Sequence, residues 1–180
     1  MAVRYYDWIA HHGRRTPDKT AVVDLASERS YTYTQFDQRI SRLAGHLRDA
    51  LKVARGDRVA VLALNTTDTL EVQFACGRLG AVFVPLNTRL TVPELQFIVG
   101  DATPKVMIHD VDLAETALAV AKLCKVDETL LLGTNGSYEA AIEEAQLIDA
   151  FEPVTLDDIS TIMYTSGTTG QPKGAIITHG

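Results

Sequence analysis

Between Thr34 and Thr165 the chain alternates short apolar, β-compatible runs with longer segments of helical periodicity, and this alternation constrains the fold more than any other feature. The segment YTYTQFDQRISRLAGHLRDAL carries the clearest helix: Thr34 is placed to cap it, and Phe36, Ile40, Leu43, Leu47 and Leu51 recur along one face. RGDRVAVLALN follows, a turn and then a continuous apolar run of the kind a strand shows when both its faces are covered. Further helices are expected over about 67–79, near 93–100, over 112–124 and over YEAAIEEAQLIDA at 138–150. Strands are expected at AVFVP (81–85), KVMIH (105–109), TLLLG (129–133) and ISTIMYT (159–165). Strands separated by helices require crossover connections. The expected fold class is therefore α/β, a mostly parallel sheet with helices on both faces. FEPVTLDD at 151–158 reads as a surface connection, and no internal repeat is present.

The composition fits such a fold: 180 residues, 46% hydrophobic and 22% charged. The longest apolar runs, such as VAVLAL at 59–64, are far shorter than a membrane span, and Arg4 and Asp7 stand where a signal peptide would be apolar. A cytoplasmic location is the resulting expectation. Cys76 and Cys124 are far apart and lack His or Cys neighbours at metal-ligand spacing, which predicts reduced helix residues and no protein-built metal site. A net charge of -6 argues against nucleic acid as a partner. Residues 1–58 nonetheless carry eleven Lys and Arg against seven Asp and Glu, a net +4, whereas the remainder carries six against sixteen, a net -10. Peripheral contact with an anionic membrane is compatible with that bias, although solvated helix faces explain the arginines more simply.

The segment YTSGTTGQPKGAIITHG follows the last of these strands, at the sheet end where open α/β folds bind ligands. Gly167, Gly170 and Gly174 let a ligand approach the main chain, Thr165, Ser166, Thr168 and Thr169 offer hydroxyl donors, and Lys173 adds a positive charge. These are the parts of a phosphate cradle. The pattern GxxxxGK[ST] does not fit, because counting from Gly167 puts Pro172 at the second glycine and AIIT after the lysine favours a strand over a helix. The expected grip is a loop between two strands, without a helix dipole behind it.

At these residues the sequence resembles the adenylate-forming superfamily of acyl-CoA synthetases, peptide-synthetase adenylation domains and luciferases. IMYTSGTTGQPKGAIITH carries the likeness. SYTYTQFDQRISRLAGHLR, GDRVAVLALN and RLGAVFVPLNTRLTVPELQFIVGDA agree in the expected order, so the resemblance covers nearly the whole chain. VPLNTRL, with Asn87, is most like fatty-acyl and related CoA ligases, while Asn87 and Arg89 could equally order the turn after a short strand.

The resemblance implies that residues 1–180 are the N-terminal portion of the AMP-binding domain, part of the large N-terminal domain of an adenylate-forming enzyme. The acyl pocket and the small C-terminal domain would lie elsewhere, so the segment alone is expected to be inactive. It implies a two-step reaction on a small-molecule carboxylic acid: ATP, with Mg2+, converts the acid to an acyl-adenylate, and coenzyme A then takes the acyl group as a thioester. Thr165, Ser166, Gly167, Thr168, Thr169, Gly170 and Lys173 match the family's phosphate loop, with Lys173 in the catalytic role. His179 matches the histidine just beyond it. Residues 166–180 are expected to be mobile or displaced in the segment alone. The competing expectations are a non-catalytic nucleotide-binding or interaction module, and an adenylating enzyme whose acceptor is a carrier protein or an amine.

Overall fold

A computed structural model describes residues 5–133, 136–148, 150–166 and 171–180. In chain order the elements are α1 (Trp8–Arg15), β1 (Thr20–Val23), β2 (Ser30–Thr32), α2 (Tyr33–Asp49), β3 (Arg58–Leu62), α3 (Thr67–Leu79), β4 (Val82–Pro85), α4 (Val92–Ala102) and β5 (Val106–His109). After a short 3-10 turn come α5 (Ala114–Cys124), β6 (Glu128–Leu131), α6 (Ser137–Glu144), β7 (Ile159–Thr165) and β8 (Lys173–Thr178). β1 and β2 form a small antiparallel hairpin, and the remaining strands form one sheet in the order β6-β5-β3-β4-β7-β8. All neighbours in that sheet are parallel except β7 and β8.

Right-handed crossovers decide which face each helix covers. The steps β3 to β4 and β6 to β7 run across the sheet in one direction, so α3 and α6 lie on the same face. The steps β4 to β5 and β5 to β6 run the other way and put α4 and α5 opposite. The alternating side chains of β3 follow suit. Val59 and Val61 join a core with Phe36, Ile40, Leu43, Val72 and Tyr138, while Ala60 and Leu62 join a second core with Leu95, Ile98, Val99 and Val120. The α/β class expected from the sequence is the class observed.

Three local details differ from the expectations. α2 is capped by Thr32, not Thr34: Gln35 N donates to Thr32 Oγ1 at 3.3 Å and Thr32 N donates to Gln35 Oε1 at 2.9 Å, a reciprocal capping box written as TYTQ. Leu51 lies beyond the helix end and still packs against the first core. α6 stops at Glu144, six residues early, because residues 145–148 leave the helix to cross α2. There Ser41 Oγ donates to Ile148 O at 2.9 Å and accepts from Ile148 N at 3.1 Å, and Arg42 Nη1 donates to Ala145 O at 2.6 Å. A β carbon at position 45 would fall 2.3 Å from Gln146 O, so the crossing needs Gly45. The third difference is that α1 and the β1–β2 hairpin had no expectation; they are short, and only Ile9 and Ala10 of α1 are buried.

Two buried ionic groups tie these layers. Arg39 spans Glu71 (2.6 Å) and Glu139 (2.8 Å), and the fully buried Glu71 also accepts from the Tyr138 hydroxyl at 2.8 Å. Arg78, on α3, is fully buried; its Nε meets Asp7 Oδ2 at 2.8 Å, its Nη2 meets Asp37 Oδ1 at 2.5 Å, and its guanidinium lies 4.7 Å from the Phe151 ring centre. One side chain thus joins the start of α1, α2, α3 and the connection into β7. At the far end of β8, His179 N donates to Asp158 O at 3.1 Å and its ring sits 4.3 Å from that of Tyr5. Its Nε2 is buried without a hydrogen-bond partner among the described residues.

Arg78→Ala is expected to cost about 3–5 kcal/mol, because it empties the space of a fully buried side chain and removes the partner of the largely covered Asp7 carboxylate. Urea unfolding of the chain measures it, and a loss under about 1 kcal/mol would mean that the clamp is dispensable. Burial holds His179 below its ordinary 6.5, against a weaker opposing pull from Asp158. The folded state therefore resists protonation here: the contribution is present above pH 6.5 and is lost as the pH falls through the lower folded value. His179→Phe should flatten the stability slope between about pH 7 and 5 relative to wild type, and an identical slope would dismiss His179 as its source.

Candidate functional site

The parallel strands β3, β4, β5 and β7 all end on one side of the sheet, and their exits build the candidate site. Asp110 Oδ2, just past β5, accepts from Leu64 N at 2.7 Å and so ties that exit to the one after β3. Asn87, just past β4, accepts from Arg89 N through its side-chain oxygen at 3.0 Å, an Asx turn. Of the two readings of Asn87, the turn-ordering one has this direct support.

β7 and β8 form an antiparallel hairpin in which Thr165 pairs with Lys173, Tyr164 with Gly174 and Met163 with Ala175. Thr165, Ser166 and Lys173 are exposed at its mouth. The two strands expected to flank the loop are therefore observed, and Lys173 is the first residue of the second. Of residues 166–180, expected to be mobile or displaced, Lys173–Thr178 are found paired in register with β7. Gly167, Thr168, Thr169 and Gly170 lie outside the described residues.

Beside the hairpin mouth a groove of about 630 Å³ opens towards α4, with Leu90, Phe97 and Ile98 on its apolar wall and Asn87, Thr165 and Ser166 on its polar side. Tyr164 borders the same groove, and its hydroxyl donates to Asp101 Oδ2 at 2.5 Å. Sequence reasoning gave no role to Asp101 or Tyr164; they are 63 positions apart, and no local spacing rule links a helix C-terminus to a strand end at that distance. Position 174 has no room for a side chain: a β carbon there would lie 2.8 Å from Ile162 Cγ2 and 3.2 Å from Tyr164 Cζ. Gly174 is thus required by packing under the Tyr164 ring.

Among the described residues no group of three His, Cys, Asp or Glu side chains is placed to hold a metal ion. Cys76 and Cys124 are free, and burial pushes the Cys76 thiol up to about 12, which suits a packing role rather than a reactive one. No helix among the described residues is long and apolar enough to cross a membrane.

Comparison with known proteins agrees with this fold. A feruloyl-CoA synthase of Amycolatopsis is 45% identical over 175 residues, covering 96% of this chain and 33% of the relative. A long-chain-fatty-acid–CoA ligase, FadD13 of Mycobacterium tuberculosis, is 37% identical over 169 residues, covering 91% of this chain and 33% of the relative. The inhibitor-bound crystal structure of the N-terminal domain of FACL13 from Mycobacterium tuberculosis superposes with a TM-score of 0.88 at 33% identity, covering 98% of this chain and 45% of that one. The chain spans about a third of the length of the curated relatives it matches. The family profile described as AMP-binding enzyme matches residues 9–180, and the chain belongs to that family.

Proposed function

We propose that this chain is the phosphate-gripping portion of the AMP-binding domain of an ATP-dependent acid–thiol ligase. A carboxylate oxygen of the acid attacks the α-phosphorus of ATP and pyrophosphate leaves, giving an acyl-adenylate. The sulfur of coenzyme A then attacks the acyl carbon, AMP leaves, and a thioester forms. The first step is needed because a carboxylate lacks a good leaving group and AMP is one.

The observation that carries this reading is the pairing of Thr165 with Lys173 at the exposed mouth of a hairpin, on the side of the sheet where the parallel strands end. Negative charge grows on the departing pyrophosphate, so rate depends on donors and cations already aimed at it. In this reading the hydroxyls of Thr165 and Ser166 and the ammonium of Lys173 serve the β and γ phosphates, and Gly167, Thr168, Thr169 and Gly170 complete the loop. Mg2+ would travel with the triphosphate and offset its charge. A cytoplasmic enzyme is the natural setting for ATP and coenzyme A.

For the acid, VPLNTRL supports a fatty substrate, while the higher identity to a feruloyl-CoA synthase favours an aromatic one. A panel of fatty and cinnamic-type acids in ATP–pyrophosphate exchange, run on the full-length protein that carries this segment, separates them. In that assay Lys173→Ala is expected to lower kcat about a hundredfold, roughly 3 kcal/mol, with KM for the acid little changed. Unchanged exchange would remove Lys173 from the step. The non-catalytic alternative predicts nucleotide binding with no exchange for any acid.

A further inference from the structure

β7 is in register with β4 at the pair Phe83 and Thr161, and beyond it the described register partner of β7 is β8. The outer part of the hairpin, which bears Thr165, Ser166 and Lys173, is thus a two-stranded ribbon, and such ribbons are marginal without lateral support. Tyr164 supplies that support. Its ring lies over Gly174, next to Lys173, and its hydroxyl reaches Asp101 in the last turn of α4 at 2.5 Å.

α4 is a firm anchor because its start is capped and its end is bound to β3. At its start Thr91 N and Oγ1 donate to Glu94 Oε2 at 2.8 and 2.7 Å, and at its end Arg58 of β3 donates to Ala102 O at 2.6 Å and Thr103 O at 2.8 Å. The path from the central strand to the hairpin mouth is then short: β3 through Arg58 to α4, and α4 through Asp101 to Tyr164.

We propose that Tyr164 and Asp101 form a strut that orients the hairpin mouth, making Tyr164 a positioning residue for the adenylation step. This inference rests on the adenylation reading of the same site. Burial and the Asp101 carboxylate raise the phenol above its ordinary value, so it keeps its proton and donates throughout the neutral range. Asp101 is exposed and Tyr164 half-buried, so removing the bond leaves no buried orphan and the fold should tolerate the change.

Two measurements on Tyr164→Phe, Asp101→Asn and the double variant test the strut. Amide hydrogen exchange of the 180-residue chain should speed up over residues 171–178 in each variant, with the melting temperature within a few degrees of wild type. In the full-length protein, kcat for pyrophosphate exchange should fall roughly tenfold in Tyr164→Phe while KM for the acid is kept, and the double variant should be no worse than the single one. Unaltered amide exchange in Tyr164→Phe would overturn the strut whatever the activity. Faster amide exchange with wild-type kcat, or a multiplicative double variant, would overturn the positioning role. A wild-type protein without pyrophosphate exchange for any acid would instead end the adenylation reading and the catalytic role with it, while the amide-exchange arm still decides the strut.

Discussion

β3 is hydrogen-bonded on both edges and covered on both faces, and the rest of the structure is arranged to keep it so. Its neighbours β4 and β5 are parallel to it, which obliges each connection to cross a face of the sheet. Handedness then leaves one choice of face for each crossover, and two cores result instead of one. The polar ends of the same strand are used as well: Arg58 closes the end of α4, and the backbone just past Leu62 is held by Asp110. A central strand with no freedom of its own gives every exit loop a fixed reference.

Much of this was legible in the sequence because it depends on period and order. The runs 59–64, 81–85, 105–109 and 159–165 are too short for helices and rich in β-branched residues, and β7 is found over the residues expected. What failed depended on partners distant in sequence. The apolar pattern of YEAAIEEAQLIDA continues helically past Glu144, and only the proximity of Ser41 and Arg42 on α2 gives the backbone of 145–148 better partners outside a helix. Thr32 was a different kind of miss, since its capping box is local and T-x-x-Q was there to be read. The hydroxyls and Lys173 of the hairpin mouth were visible as a composition, while Asp101 could be assigned to that neighbourhood only once α4 was folded beside β7.

Chemistry and rigidity are separated at the hairpin. Thr165, Ser166 and Lys173 stand exposed at the mouth, the exposure that the proposed phosphate role requires. Precision comes from behind them, through glycine at 174 and the aromatic ring that occupies the space a side chain would take. The same residue types scattered on a mobile surface loop would carry equal charge and far less directional donor geometry.

The crossing of residues 145–148 over α2 also has a temporal meaning. Ser41 and Ile148 are 107 positions apart, so at about 5–20 residues per second α2 leaves the ribosome roughly 5–20 s before the segment that covers it. During that interval Ser41 and Gly45 look onto solvent, and the notch left by the missing side chain at 45 is open to other backbones of the growing chain. The glycine that makes the finished crossing fit is therefore covered only when residues 145–148 arrive, still ahead of β7 and β8, so the crossover from β6 to β7 can close only after it.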